Sequence, residues 1–239
     1  MNVKSLSVFF PCYNEEKNLE KLTLDTLRVL DDLVKEYEIL IINDGSTDNT
    51  GVIAERLSRQ FDPVRVVHHE KNRGYGTALI SGFSNAIHEW VFFTDGDNQF
   101  HIQDIRLLLA EIDDCDAIIG FRKVRQDPWL RRVYAWAWNI LIRLTLGLKI
   151  KDLNCAFKLI KKNALEQIAL RSSGALINTE LLLKLKASGA RIREIGVSHK
   201  PRAFGKQTGG NPRVIVKAFC ELGSLFREQR FSRPGANGS

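Results

Sequence analysis

The sequence has 239 residues, of which 44% are apolar and 26% charged, which is typical of a globular protein with one sizeable core. It contains no uninterrupted run of about 18 apolar residues, so no segment is predicted to span a membrane. The chain enters a predicted strand soon after Met1, and a secretory leader is not expected. The cysteines lack the paired spacing of a zinc site or a disulfide framework, which favours a reducing cytosol. They are Cys12, Cys115, Cys155 and Cys220.

The charge is divided unequally along the chain. Residues 1–120 carry 11 Lys and Arg against 21 Asp and Glu, a net charge of −10, whereas residues 121–239 carry 24 against 7, a net charge of +17. A basic second half indicates an anionic partner, such as a nucleic acid, a membrane surface or a phosphorylated substrate. A basic surface without a partner is the alternative. Because no aromatic RNA-binding signature or helix-turn-helix pattern is present, nucleic acid is not favoured.

Strands and helices alternate through the first half. Strands are predicted over 5–10 (ended by Pro11), 38–42, 64–67, 91–94 and 117–120. Helices are predicted between them, with apolar faces at residues 19, 22, 27, 30, 33 and 34 and at Ile53, Leu57 and Phe61, and with a third helix over 77–86. This alternation predicts an α/β fold, a mostly parallel sheet covered by helices on both faces. Ligands of such sheets bind at the carboxyl ends of the strands.

Three loops that follow strands carry acidic and amide side chains. They are the loops at 11–16, 43–48 and 94–99, and they are expected to meet at one edge of the sheet. Asp44 or Glu15 could there accept hydrogen bonds from ribose hydroxyls or a base N–H. Turn and helix-cap chemistry is the alternative for each loop. The chain contains no G-x-G-x-x-G at the first helix and no P-loop, so neither of these nucleotide-binding motifs is predicted.

The strand at 91–94 ends in two aspartates separated by one glycine. Side chains two positions apart in an extended backbone project to the same side, so Asp95 and Asp97 can converge, and Gly96 lets the backbone approach closely. Two adjacent carboxylates repel each other unless a cation lies between them. Oxygen ligands favour Mg²⁺ or Mn²⁺, and Gln99 could add a neutral oxygen. A plain Asp-Gly turn with solvated acids is the alternative.

Four motifs in order resemble those of the family 2 glycosyltransferases, and more narrowly the branch of dolichyl-phosphate mannose synthase and polyprenyl-phosphate sugar transferases. The motifs are Pro11-Cys12-Tyr13-Asn14-Glu15-Glu16, Asn43-Asp44-Gly45-Ser46-Thr47-Asp48, Arg73-Gly74-Tyr75-Gly76-Thr77-Ala78 and Thr94-Asp95-Gly96-Asp97-Asn98-Gln99. The resemblance runs from about residue 5 to about residue 210. It implies a GT-A fold, a nucleotide-sugar donor, a divalent metal and an inverting transfer. Asn43 departs from the family, which often has Asp there.

The resemblance also assigns roles to individual residues. The implied metal ligands are Asp95, Asp97 and Gln99, and the implied donor-binding residues are Pro11, Tyr13, Glu15, Asp44, Asp95, Gly96, Asp97, Arg122, Arg202 and Lys206. The implied catalytic residues are Asp95, Asp97, Arg122, Asp152 and Arg202. Arg122 would reach the donor phosphate, where a guanidinium stabilises the departing charge. Asp152 would touch the sugar or orient the acceptor, with a capping or salt-bridge role as the alternative.

The resemblance extends to two later segments. Glu180 falls where the family places an acid near its acceptor site, although an acid in a first helical turn also suits the helix dipole. The basic loop at 199–210 resembles a loop that closes over donor and acceptor, with Arg202 and Lys206 aimed at phosphates. Its Gln207-Thr208-Gly209 replaces the more usual Ser-Lys ending. A solvated basic loop is the alternative.

Two segments of the second half are candidates for a membrane surface. Between Trp129 and Leu146, three tryptophans within ten residues are mixed with arginines, which suits a helix in the headgroup region. A helix packed on the sheet with its arginines snorkelling is the alternative. An amphipathic helix is predicted over 213–230, and it could pack on the domain or lie on a membrane. The expected division is a GT-A domain at 1–210, a basic C-terminal helical segment at 211–231 and a disordered tail at 232–239.

The predicted activity is transfer of a hexose from GDP-mannose or a UDP-hexose to a polyprenyl or dolichyl phosphate, by a metal-dependent enzyme peripheral on the cytosolic face of a membrane. Such an acceptor arrives ionised, because the second pKa of a phosphate is about 6, and it needs positioning more than proton removal. A sugar or protein hydroxyl would instead require a general base, for which Asp152 or Glu180 is the candidate. A hydroxyl-directed transferase and a non-catalytic basic binding module remain the alternatives.

Overall fold

The structure is a computed structural model that describes residues 3–123, 142 and 147–201. Several predicted features lie outside these residues, namely most of the tryptophan-rich segment, Arg202, Lys206, the helix over 213–230 and the tail. From the tryptophan-rich segment only Ile142 is described, and it is buried in a small cluster with Leu148 and Leu153. Within the described part of the chain, no helix has both the length and the apolar character needed to cross a bilayer.

Strands and helices alternate as predicted through the first half. The strands are β1 (Ser5–Cys12), β2 (Glu36–Asn43), β3 (Val64–His68), β4 (Trp90–Thr94), β5 (Ala117–Arg122), β6 (Phe157–Lys161) and β7 (Ile192–Val197). The helices are α1 (Leu19–Asp31), α2 (Thr50–Gln60), α3 (Tyr75–Asn85), α4 (Ile105–Leu109, preceded by a 3₁₀ turn at Ile102–Asp104), α5 (Lys162–Glu166) and α6 (Ile177–Ala187).

One seven-stranded sheet organises these elements, in the order β3-β2-β1-β4-β6-β5-β7. All neighbouring strands run parallel except β6, which is antiparallel to both β4 and β5. From β1 to β3 each new strand is added on one side of the sheet, whereas β4 is added on the other side of β1. Because crossovers between parallel strands are right-handed, α1 and α2 therefore cover one face of the sheet and α3 covers the other. The predicted α/β fold with a mostly parallel sheet is therefore confirmed.

The core lies where the central strands meet the helices. Every residue of β4 is buried, as expected for an apolar strand covered on both faces. Phe9 of β1, Phe93 of β4 and Phe83 of α3 pack together, with ring centroids 5.1 to 5.5 Å apart. A Cβ at Gly82 of α3 would lie 2.3 Å from the Phe9 ring. The glycine therefore allows α3 to approach β1 closely.

The first strand is longer than predicted, because it continues through Pro11 to Cys12. Pro11 pairs in register with Ile42 of β2, whereas the pairing of β1 with β4 ends at Phe9 opposite Phe93. Cys12 O accepts a hydrogen bond from Asp44 N, 2.9 Å away on the β2 side, so the nitrogen of Pro11 faces the side on which the ladder has ended. A proline is tolerated there since no ladder hydrogen bond is lost.

An ion pair at the amino ends of the parallel strands leads to a prediction about how stability depends on pH. Asp116 accepts hydrogen bonds from Arg191, from its backbone N at 2.9 Å and its Nε at 3.2 Å, and these lower the pKa of Asp116 to about 2. Since the carboxylate has a pKa of about 3.9 in an unfolded chain, its contribution is complete above that pH and is lost as the pH falls towards 2. We expect Asp116→Asn to cost about 1 kcal/mol or less at pH 7.

The measurement for Asp116→Asn is urea unfolding of both proteins between pH 2 and pH 7. The difference in unfolding free energy between wild type and variant is expected to be constant above about pH 5 and to disappear towards pH 2. A difference that stayed constant across the whole range would show that the charge of Asp116 contributes nothing to stability.

Candidate functional site

The loops after β1 and β2 are fastened to each other at the carboxyl edge of the sheet. Asn14 has a φ of 58°, a conformation that asparagine tolerates better than most residues. Its backbone N donates to Ser46 Oγ at 3.0 Å, and its Oδ1 accepts from Thr47 N at 2.8 Å. Glu16 Oε2 accepts from Asn49 N at 3.1 Å. The predicted convergence of these two loops at one edge is therefore observed.

Asp44 joins the loop after β2 to the loop after β3. Its side chain is buried, and its oxygens accept hydrogen bonds from Arg73 N and Gly74 N, each at 2.9 Å. His69 Nδ1 lies 2.6 Å from the same carboxylate. Residue 74 has a φ of 95°, a backbone conformation that favours glycine because glycine has no Cβ. Asp44 thus shapes the segment that leads into α3, and its contact with a nucleoside stays a prediction.

The other residues predicted to line the nucleoside pocket lie at the same edge. Pro11 is buried at the end of β1, and the Tyr13 side chain is 42% exposed. Glu15 is buried, and its Oε2 accepts a hydrogen bond from Asn18 Nδ2 at 2.7 Å. These positions are compatible with a pocket between the loops after β1 and β2. The role of each residue in donor binding stays a prediction.

The acidic pair follows directly after β4. A Cβ at Gly96 would lie 2.7 Å from Cys12 Sγ and 3.1 Å from Pro11 O, so glycine allows the turn to lie against the end of β1. Asp97 is buried, and its Oδ1 accepts from Gln99 N at 3.1 Å. Asp95 is partly exposed, and its Oδ1 accepts from the Tyr75 hydroxyl at 2.9 Å.

The electrostatic environment of the pair favours a cation. Desolvation, followed by the charge of Asp97, raises the pKa of Asp95 above its ordinary value, and the hydrogen bond from Tyr75 opposes this. The pKa of the Cys12 thiol is also raised, by burial and then by the charges of Glu15, Asp95 and Asp97. These negative charges therefore repel one another in a poorly solvated place. A divalent cation beside the pair would relieve that repulsion.

The ligands available to such a cation match Mg²⁺ or Mn²⁺ bound together with a phosphate. Asp95 and Asp97 offer hard oxygen atoms, and no group of three or more His, Cys, Asp or Glu side chains suited to a metal occurs within the described ranges. Mg²⁺ is commonly bound by one or two carboxylates, with water and substrate phosphates completing its shell. Two carboxylates therefore fit a cation that arrives with a nucleotide.

Gln99 connects the acidic turn to the segment after β7. Its Nε2 donates to Lys200 O at 3.0 Å, and its backbone O accepts from Lys200 N at 2.7 Å. Phe100 forms an antiparallel bridge with His199. The chain that continues to Arg202 and Lys206 therefore starts beside the acidic pair. The predicted binding of a metal by the amide oxygen of Gln99 stays a prediction.

Arg122 and Asp152 form a bidentate ion pair close to the same edge. Arg122 Nε lies 2.7 Å from Asp152 Oδ2, and Arg122 Nη2 lies 2.9 Å from Oδ1. Only 11% of the arginine side chain and 5% of the aspartate side chain are exposed. The positive charge of Arg122 is near enough to oppose the rise in the pKa of Asp95. The salt-bridge alternative that the sequence left open for Asp152 is therefore observed.

Glu180 is buried at the start of α6 and supports a loop. Its carboxylate accepts from Arg171 N at 3.0 Å, Ser172 N at 2.7 Å and Lys184 Nζ at 2.7 Å. The supported loop lies against the N-terminal end of α3, where Gly76 N donates to Ser173 O at 2.9 Å. These contacts give Glu180 a structural role.

No role was predicted from the sequence for three polar residues of this region, Lys158, Asn178 and Tyr75. Lys158 is the second residue of β6 and is fully buried, and burial lowers its pKa to about 8. Its Nζ donates to Asn178 Oδ1 at 2.8 Å. Asn178 in turn lies near the Tyr75 hydroxyl and acts to lower the pKa of Tyr75. The available signal was a lysine flanked by the apolar residues Phe157 and Leu159 in a strand, where a buried charge without partners is costly.

The fold and the edge site together define an α/β protein of the GT-A type, with two carboxylates after a central parallel strand. Residues 7–169 match the model of glycosyl transferase family 2. The chain belongs to this family, and the prediction of a glycosyltransferase is confirmed. The narrower resemblance to dolichyl-phosphate mannose synthase stays a prediction.

Solved structures share the fold. Glucosyl-3-phosphoglycerate synthase from Mycobacterium tuberculosis, in complex with uridine diphosphate, is 21% identical with a TM-score of 0.68, over 92% of this chain and 80% of that one. The same enzyme with Mn²⁺, UDP-glucose and phosphoglyceric acid is 20% identical, with the same coverages and TM-score. A crystal structure of a mycobacterial protein has a TM-score of 0.73 at 19% identity, over 98% of this chain and 76% of that one.

Proposed function

We propose that this chain transfers a hexose from a nucleoside-diphosphate sugar to the phosphate of a polyprenyl phosphate, with Mg²⁺ or Mn²⁺ bound by Asp95 and Asp97. The observation that carries the proposal is the acidic pair at the carboxyl edge of the sheet, in a chain of glycosyl transferase family 2. Ligands of parallel α/β sheets bind at this edge.

The donor half of the proposal is supported by the chemistry of the site. When bound, the cation neutralises the diphosphate as it leaves the anomeric carbon. Asp95 and Asp97 hold it, and Gln99 is the candidate for a neutral ligand. Arg122 stabilises the developing charge on the phosphate oxygens. The glucosyl-3-phosphoglycerate synthase crystals that contain Mn²⁺ and UDP-glucose support a nucleotide-sugar donor with this fold.

The acceptor half rests on the two carboxylates that could have served as a general base. Asp152 is engaged by Arg122 in a bidentate ion pair, and Glu180 accepts hydrogen bonds from Ser172 N and Lys184 Nζ. A hydroxyl acceptor needs a base to remove its proton, whereas a phosphate is already ionised at neutral pH. The engagement of both acids supports an acceptor that attacks through a phosphate oxygen.

A hydroxyl acceptor on a small phosphorylated acid is the second candidate. It is favoured by the fold relatives, since glucosyl-3-phosphoglycerate synthase was crystallised with phosphoglyceric acid. The excess of basic residues after position 120 suits either acceptor, because both carry phosphate. For the lipid acceptor, we propose in addition that the tryptophan- and arginine-rich segment 129–146 contacts a membrane surface.

The test measures release of nucleoside diphosphate from UDP-glucose and from GDP-mannose, with Mn²⁺ or with EDTA. Each reaction is run without acceptor, with a polyprenyl phosphate in detergent micelles and with 3-phosphoglycerate. Mn²⁺-dependent release stimulated by the polyprenyl phosphate supports the proposal. Stimulation by 3-phosphoglycerate alone would replace it with the second candidate. Absence of release from either donor in all reactions would favour a binding module.

A further inference from the structure

A chain of polar side chains runs through the interior from β6 to the acidic pair. It begins at Lys158, a fully buried residue of β6, which is the strand between β4 and β5 in the sheet. The ammonium group donates to Leu153 O at 3.3 Å, to Cys155 O and to Asn178 Oδ1 at 2.8 Å. An ammonium group has three hydrogens and can only donate. These three acceptors therefore use all of its donors.

The direction of the remaining hydrogen bonds follows from that starting point. Because the Oδ1 of Asn178 accepts from Lys158, its Nδ2 is the atom that can face the neighbouring Tyr75 hydroxyl. A donor in that place lowers the pKa of Tyr75, which is the direction in which Asn178 acts. The Tyr75 hydrogen is then directed at Asp95 Oδ1, 2.9 Å away. The sequence of donors thus runs one way, from the ammonium group to the carboxylate.

We infer that Lys158, Asn178 and Tyr75 are positioning residues that hold the Asp95 carboxylate in the orientation that binds the divalent cation. The inference rests on the proposed function, because it concerns the same metal site. None of the three side chains needs to touch the cation or the sugar. They act through Asp95, as the groups that hydrogen-bond to metal ligands do in other metalloproteins.

The physical effect is to fix one carboxylate oxygen while leaving the other for the cation. A single hydrogen bond to an exposed carboxylate contributes little, but this one lies in a poorly solvated place, where hydrogen bonds are stronger and chains of them reinforce one another. The buried ammonium group of Lys158, the first donor in this series of side chains, fixes the direction in which the hydrogen bonds point. The charge of Lys158 opposes the rise in the pKa of Asp95 that desolvation and the charge of Asp97 cause.

Tyr75→Phe tests this inference, since it removes one hydroxyl and keeps the ring. The measurement is Mn²⁺ affinity in the presence of UDP, by isothermal titration and by electron paramagnetic resonance of free Mn²⁺. We expect the affinity of Tyr75→Phe for Mn²⁺ to fall about tenfold, the size seen when groups behind metal ligands are removed. Tyr37→Phe is the matched control, because the Tyr37 hydroxyl also bonds an aspartate, Asp31, remote from the site. Its Mn²⁺ affinity is expected to equal that of wild type.

A second variant separates a connected chain from independent effects. Asn178→Leu has a similar volume and interrupts the chain one step earlier, so its Mn²⁺ affinity is expected to fall by about threefold. Combined with Tyr75→Phe it is expected to add nothing, because the contact with Asp95 has already been removed. Two independent structural defects would instead multiply. An additive double variant would therefore overturn the inference of a connected chain.

The outcomes also separate this inference from the proposed function. If wild type binds Mn²⁺ with UDP, Asp95→Ala does not, and Tyr75→Phe binds as tightly as wild type, the positioning role is wrong and the metal site stands. If wild type fails to bind Mn²⁺, or Asp95→Ala binds it normally, the metal site itself is wrong and the inference falls with it. Thermal unfolding of each variant identifies any loss of affinity that comes from a loss of fold.

Discussion

Replacing Asp97 with asparagine is expected to lower the rate of sugar transfer by at least about 10²-fold, which corresponds to about 2.7 kcal/mol of transition-state stabilisation. Asparagine keeps the shape of the side chain and its Oδ1. This atom can accept the hydrogen bond that Gln99 N donates to Asp97 Oδ1 at 3.1 Å in the wild type. The substitution removes the negative charge that would attract the proposed divalent cation. Since that cation would neutralise the leaving diphosphate, transfer is expected to fail while binding of the nucleoside is retained.

The fold is expected to survive this change. Asparagine has nearly the same shape as aspartate and keeps the acceptor for Gln99 N, and its neutral side chain does not repel the neighbouring Asp95 carboxylate. The melting temperature of Asp97→Asn is therefore expected to lie close to that of wild type. Loss of transfer with retained stability distinguishes a functional acid from a structural one.

Asp62→Asn is the matched control for Asp97→Asn. Asp62 is exposed and lies just before β3, at the amino edge of the sheet and thus opposite the site. Both variants are assayed for release of nucleoside diphosphate over a range of Mn²⁺ concentrations, and the control is expected to behave as wild type. Full activity of Asp97→Asn at low Mn²⁺ concentration would show that the acidic pair does not bind the metal.

The first five strands and the first three helices could be predicted because their apolar residues form short runs or follow the helical period. The strand predicted over 38–42 is the buried centre of β2, and the structure adds polar residues at each end. β7 was missed, since Arg193 and Glu194 interrupt its apolar residues and only Val197 is fully buried. An edge strand of this kind is fixed by its pairing with β5, which depends on residues distant in sequence.

The acidic site could be located because parallel strands bring their following loops to one edge. The contacts inside that edge could not, because they depend on three-dimensional packing. Tyr75 and Asp95 are 20 positions apart, as are Lys158 and Asn178, and no periodicity of a strand or helix relates them. The glycine motif around Tyr75 was recognised for its resemblance, but the direction of the tyrosine hydroxyl follows from the packing of α3 against β1.

The acids of the second half were the most ambiguous in sequence. Asp152 and Glu180 each had a catalytic and a structural interpretation, and a lone acid in a loop or first helical turn is compatible with both. The structure gives each of them partners. Arg122 pairs with Asp152, and the backbone N–H groups of Arg171 and Ser172 bind Glu180. A sequence does not record such partners, so it could not decide between the interpretations.

The pairing of Arg122 with Asp152 leads to the second large expected effect. We expect Arg122→Lys to lower kcat/KM for sugar transfer by about 10²-fold, similar to the loss of one donor that stabilises charge in a transition state. Arg122 uses its Nε and one terminal nitrogen on Asp152, and a guanidinium has further N–H groups that can reach a phosphate at the same time. A lysine has one compact ammonium group, which cannot hold the aspartate in a bidentate contact and also bind the diphosphate.

Arg191→Lys is the matched control, because Arg191 also makes a two-nitrogen contact with an aspartate, Asp116, at 3.2 and 3.4 Å. That pair lies at the amino edge of the sheet, so its loss is expected to change stability slightly and kcat/KM not at all. If Arg122→Lys lowered the melting temperature but left kcat/KM within a factor of two, Arg122 would be a structural partner of Asp152 and no more. A loss confined to kcat/KM, with unchanged affinity for Mn²⁺, would instead show that the guanidinium stabilises the departing phosphate. The arginine and the cation would then stabilise the same negative charge independently of each other.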